Sequence, residues 1–277
     1  MTLVQDVVSH AQSQYGVLEV AMAMPRGSKN YGLYREGVSD VDYTVVYLPY
    51  EHDLYVRQPL KDRYIETDNF EYKLMDIRNL LKVLKTANLT ALDFIWAEPN
   101  EEETAILGGF DDLDIKVFHE LEWVISYNLK SFYFSHISQT KKALHEYHEK
   151  GHNYKTSKRL ITASYLLWVL NTFHTHNLEM DSTDFMVLMH SAGRWHEYPN
   201  QLGELGDLSR LKFDLGEEHF LEFVNRVEVL LGHCESIAKT VPKADMVAIE
   251  NVLNGVEDVL VASMRNFYYG VDNNPQL

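Results

Sequence analysis

The residue types best suited to chemistry fall in one stretch of the N-terminal third, where Gly27-Ser28-Lys29-Asn30-Tyr31-Gly32-Leu33 precedes Ser39-Asp40-Val41-Asp42. On extended backbone Asp40 and Asp42 point to one side, with side chains about 7 Å apart, so both carboxylates can converge on divalent ions. Magnesium prefers hard oxygen ligands and commonly shares them with substrate phosphates, so a protein can supply carboxylates and leave the remaining positions to a nucleotide. Gly27 permits close backbone approach. Exposed N–H groups and the Ser28 hydroxyl at the start of a short helix can then cradle phosphate oxygens. Tyr31 reads either as a ring that stacks on a base or as packing for the loop.

These residues need elements to hold them. Leu3, Val7 and Val8 have helical spacing, and Gly16 stops that pattern before VLEVAMAM (17–24), which reads as a strand. PRGSKNYGLYREGVSD is a loop, and VDYTVVYLP a second strand stopped by Pro49. The stretch from Glu51 to Asp68 is charged. NFEYKLM then offers a third strand, with Glu71 and Lys73 on one face and Phe70, Tyr72 and Leu74 on the other. Asp76 stands at an N-cap position before Ile77, Leu80, Leu81 and Leu84 on one helix face. NLTALDFIWAEP suggests a short helix capped by Asn88, and EEETAILGGFDDLD an acidic loop. From residue 114 on the periodicity is almost purely helical, over 114–149, 155–176, 183–192, 216–240 and 243–265.

The Gly-Ser step, spacer and Asp-x-Asp strand resemble the nucleotidyltransferases of the DNA polymerase beta superfamily; here eleven residues separate Ser28 from Asp40. GSKNYGLYREGVSDVDYTVVYLP is similar, more narrowly, to nucleotidyltransferases predicted in bacteria and phages. Those open with Gly-Ser-x-x-Tyr-Gly-Leu and have relatives linked to RNA repair. The likeness continues through DIRNLLKVLKTANLTALDFIWAEP, with Leu89 where proline is usual and Asp93 where glutamate is usual. It is looser in YKTSKRLITASYLLWVLN. There Lys158 falls near a family lysine that opens a helix, while Thr162 and Tyr165 replace a usual histidine and arginine.

The resemblance implies an α+β fold: a nucleotidyltransferase-like mixed sheet with flanking helices over 1–110, a mostly helical region over 111–270, and a frayed tail over 271–277. It implies a third carboxylate from a neighbouring strand, assigned to Glu71. Asp76 is the rival, although its position before Ile77 suits an N-cap, and Asp68 falls in a turn. The implied cofactors are Mg2+ or Mn2+, and the implied substrate is a nucleoside triphosphate, ATP foremost. The β- and γ-phosphates would be held by Gly27, Ser28 and nearby backbone, with Lys29 or Lys158 as helpers. The implied reaction moves a nucleoside monophosphate to an acceptor hydroxyl, on an RNA or tRNA end, a protein or a small molecule. The alternative is an inactive nucleotide-binding regulator on the same fold.

Composition narrows the partners. Lys and Arg number 25 against 41 Asp and Glu, a net charge of −16, so no broad basic surface can hold duplex DNA by counterion release. The single cysteine, Cys234, reads as a small buried thiol and allows no internal disulfide. The N-terminus lacks a basic segment followed by an apolar run, and no stretch approaches the roughly 18 apolar residues of a membrane span, so a cytoplasmic protein is expected. His145, His148 and His152 could share a helix face and bind zinc. Their order is not His-Glu-x-x-His, however, and Gly151 ends the helix, so a solvated face is expected. Trp168, set among Leu166, Leu167 and Leu170, reads as core packing.

Overall fold

The computed structural model describes residues 3–15, 17–27, 41–56, 58–86, 105–106, 127–175 and 217–270. They form two compact units. One gathers the described residues up to Gly27, those from 41 to 106 and those from Met246 on; the other runs from 127 to Asp245. The C-terminal helix, which a boundary at 110/111 puts in the helical region, thus counts with the sheet.

The sheet unit begins with α1 (Leu3–Tyr15), whose buried stripe is Val4, Val7 and Ala11 while Leu3 stays exposed. That stripe joins Val20 and Ala23 of β1 (Glu19–Arg26) and Tyr43, Val45 and Tyr47 of β2 (Asp42–Leu48) in one apolar cluster. After β2 come α2 (Glu51–Val56), β3 (Arg63–Glu66) and β4 (Glu71–Asp76). Next is α3 (Ile77–Thr86), then the two-residue β5 (Ala105–Ile106). The strand order is β3-β4-β2-β1-β5. β2 and β4 run parallel, and every other pairing is antiparallel. β2 is buried on both faces from Tyr43 to Leu48, as expected of a central strand.

The charged stretch after Glu51 holds two elements that its composition did not announce, α2 and β3. Thr67 closes the β3–β4 hairpin: its Oγ accepts the Phe70 N–H at 3.0 Å and the Asn69 N–H at 3.3 Å. β1 also runs past Met24 through Pro25 to Arg26. On the β5 side the ladder covers only Met22 and Ala23, so Pro25, which has no N–H, need not donate there. The last helix of this unit is α7 (Met246–Tyr269), with a buried stripe of Ile249, Leu253, Val256 and Leu260. It packs on α3, and its Tyr268 hydroxyl donates to the Pro49 carbonyl.

The helical unit contains α4 (Leu129–Lys150), α5 (Tyr154–Thr175) and α6 (Glu217–Thr240). Gly151, at φ 72°, ends α4. α5 opens on a reciprocal cap in which Asn153 Oδ1 accepts the Thr156 N–H at 3.1 Å and Thr156 Oγ accepts the Asn153 N–H at 3.3 Å. Phe132, Tyr133 and Leu144 of α4, Leu160, Ile161 and Leu167 of α5, and Phe220, Val224 and Val227 of α6 are all buried. The expected helices over 88–98 and 183–192 lie outside the described residues. So does the tail after Gly270. Among the described residues no helix is long and apolar enough to cross a membrane.

Candidate functional site

Register decides which side chains can meet. Asp42 opens β2 and Glu71 opens β4, and the parallel ladder pairs them directly. Arg26 pairs with Asp42 on the other side, and Glu66 pairs with Glu71. Directly paired residues present their side chains on one face, with strands about 4.8 Å apart. Arg26, Asp42, Glu71 and Glu66 therefore form a single row across four strands at one end of the sheet. These four, together with Tyr64, Ile65 and Tyr72, line a cavity of about 120 Å³.

Gly27 follows Arg26 with φ +70°, and a Cβ placed on it would stand 3.6 Å from Asp42 Oδ2. The backbone angle is what asks for glycine, because an L side chain is strained at that φ, while a Cβ there would make only ordinary contact with the carboxylate. Gly27 is thus delivered to the acidic row by the end of β1.

Behind the row the same face becomes closed. Thr44 and Lys73, each two residues along from Asp42 and Glu71, are paired in register and buried. The Lys73 ammonium lies 2.8 Å from Asp62 Oδ2, and Thr44 Oγ has no hydrogen-bond partner among the described residues. At the mouth the Arg26 guanidinium carbon lies 5.2 Å from the centroid of the Tyr64 ring, within cation–π range. Tyr64 is 72% exposed.

Of the residues expected at the site, the structure brings Gly27, Asp42 and Glu71 together. Ser28, Lys29, Tyr31 and Asp40 lie outside the described residues. Lys158 belongs to the helical unit, half-buried on α5, where its carbonyl accepts the Thr162 hydroxyl at 3.0 Å. Asp76 is taken away from the row by its register with Tyr47, five residues along β4 from Glu71 and so roughly 16 Å distant. Its carboxylate is sealed. Arg78 Nη2 lies 2.7 Å from Oδ2 and Nε 2.9 Å from Oδ1, while the Arg78 backbone N–H donates to Oδ1 at 3.0 Å as an N-cap bond. Sequence reading missed Arg26, because β1 was expected to stop at Met24, and missed Glu66 and Tyr64, because β3 was not expected. The turn residues Thr67-Asp68-Asn69 between two short alternating runs were the available signal.

Asp42 and Glu71 are hard oxygen donors of the type that magnesium and manganese take. Among the described residues no group of three or more His, Cys, Asp or Glu is placed to hold a metal. His145, His148 and His152 do not converge. His145 pairs with Glu149 at 3.3 Å and His148 with Glu228 at 3.3 Å; His152 meets Ser157 Oγ and packs on Phe220. Between the first two, hydrogen bonds from Lys150 and Arg159 pull the Glu146 carboxyl down to about 2. Trp168 is buried beside Tyr165. Cys234 is fully buried, and burial pushes its thiol up to about 12, so it is no nucleophile.

No protein-family model matches this chain, and no curated protein is significantly similar to it.

Proposed function

We propose that this chain is a metal-dependent nucleotidyltransferase that passes a nucleoside monophosphate from a nucleoside triphosphate, ATP foremost, to an acceptor hydroxyl. The observation that carries the reading is the register that sets Glu71 directly beside Asp42, with the Gly27 backbone against the Asp42 carboxylate. A strand-borne acid pair next to a glycine step can hold a triphosphate by its charge and its backbone together.

Asp42 and Glu71, with Asp40, would hold Mg2+ or Mn2+; when bound, such ions supply Lewis-acid neutralisation of the charge that builds on the phosphates. Glu71 lies at the exposed end of β4, where it can accept the proton of an acceptor hydroxyl. The acceptor oxygen then bonds to the α-phosphorus, the bond from that phosphorus to the β-bridging oxygen breaks, and pyrophosphate leaves with the electron pair. Gly27 and Ser28 position the β- and γ-phosphates, aided by Lys29. Tyr31 either stacks on the base or packs the loop. The acceptor is an RNA end, a protein or a small molecule, and the net charge of −16 favours one that needs few phosphate contacts. The reading places the chain in the cytoplasm, where nucleoside triphosphates are available.

The test is to incubate purified chain with each α-labelled triphosphate, Mg2+ or Mn2+, and RNA or protein extract, following pyrophosphate and the destination of the label. Transfer that falls by about 10²–10⁴ in Glu71→Gln supports the reading. Full activity in Glu71→Gln sinks it. Nucleotide binding with no pyrophosphate release would instead favour the regulatory alternative.

A further inference from the structure

A second cavity, of about 90 Å³, lies at the other end of β2 and β4, away from the carboxylate row. Its walls include Tyr47, which is buried, and Tyr50, which is 50% exposed. The sealed Asp76–Arg78 pair also lines it, with the Tyr47 hydroxyl donating to Asp76 Oδ2 at 3.4 Å. Burial and Asp76 push the Tyr47 hydroxyl well above its ordinary range, so it stays protonated and donates. Lys61 and Arg63 are exposed, and among the described residues neither has an ion-pair partner. Counting Asp53 as well, the lining carries three cations and two carboxylates, a net positive charge on a chain whose total is −16.

We propose that this cavity binds a small planar ring carrying an anionic group. Tyrosine faces and neighbouring aliphatic side chains accept a flat apolar body, while Lys61 and Arg63 at the rim meet a phosphate or carboxylate. The Asp76–Arg78 pair neutralises itself, and Lys61 and Arg63 set against Asp53 leave one net positive charge at the rim for a ligand. A nucleoside monophosphate and a simple aromatic phosphate both supply this chemistry. The site shares no residue with the carboxylate row, so it stands whether or not nucleotidyl transfer is found.

The experiment is isothermal titration calorimetry of the full chain with phenyl phosphate, AMP, inorganic phosphate and phenol. AMP is also titrated into Asp42→Asn, to separate this site from the carboxylate row. The expected result is one saturable site for phenyl phosphate, with phosphate and phenol each at least about tenfold weaker because each offers half the ligand. Retention of AMP in Asp42→Asn at this site identifies a nucleotide as a source; binding of phenyl phosphate without AMP identifies a smaller aromatic anion. The Lys61→Ala/Arg63→Ala variant should lose at least about tenfold in affinity for phenyl phosphate. Lys61→Arg/Arg63→Lys, which keeps both charges, should retain it. Absence of saturation by either ring-bearing anion, equal binding of bare phosphate, or wild-type affinity in the double alanine variant would overturn the proposal.

Discussion

Glu71 and Asp76 lie on one short strand, and their surroundings assign them opposite work. Glu71 is exposed at the start of β4 beside Asp42, so Glu71→Gln should leave stability within about 0.5 kcal/mol while removing the proposed base. Asp76 has a fully buried carboxylate held by Arg78. Removing it strands a guanidinium and uncaps α3, so Asp76→Ala should cost about 3–5 kcal/mol. Denaturant melts of the two variants beside turnover assays check this pair; equal stability losses would show that burial does not separate them. Gly27 adds a backbone case. At φ +70° an alanine pays about 1–2 kcal/mol of strain. Gly27→Ala should therefore lower the melting temperature modestly and impair nucleotide binding, read by thermal shift with and without ATP.

At the scale of elements, the β3–β4 hairpin carries Glu66 and Tyr64 to the mouth of the site, and its turn hangs on Thr67. Thr67→Val removes the oxygen that accepts two backbone N–H groups, which should cost about 1 kcal/mol. Faster amide exchange confined to Arg63–Glu66 and the paired residues of β4 would show it; unchanged exchange would mean the turn does not hold the edge. The hairpin also explains what the sequence could and could not disclose. β2 was legible because Val45, Val46 and Leu48 stand between loop residues and Pro49. α4 and α6 were legible because an apolar residue returns every third or fourth position, and Gly151 marks an end. β3 was not, because only Ile65 of its four residues is buried and a single apolar residue has no period. Lys73 was placed on one face with Glu71, yet it is buried. Its burial depends on Asp62, which reaches it only because β3 pairs with β4. The stripe on α7 announced a helix but not its partner, and that partner is α3. Asp42 could be nominated from residue type and Glu71 from the family resemblance, whereas their adjacency follows from β2 and β4 being parallel neighbours, a long-range fact.

For the whole molecule, charge and burial pull against each other as pH falls. A chain at −16 with an isoelectric point near 5.2 loses self-repulsion on acidification, which by itself favours the compact state. His136 opposes this. It is fully buried on α4, neither ring nitrogen has a hydrogen-bond partner among the described residues, and burial lowers it from 6.5 to about 4. The folded chain keeps the imidazole neutral where the unfolded chain protonates it. Stability is therefore unaffected by His136 above pH 6.5, falls as pH drops from 6.5 to about 4, and loses about 3 kcal/mol over that window. In His136→Leu two unpaired polar atoms are replaced by an apolar group of similar size beside Phe132, so the helical unit should gain about 1–3 kcal/mol at neutral pH. Its acid loss between pH 6.5 and 4 should also flatten. Amide exchange in α4, α5 and α6 across that range, for both chains, reads the effect within the helical unit itself. A variant that melts lower at pH 7, or keeps the wild-type acid slope, would show that the imidazole is solvated or partnered in solution.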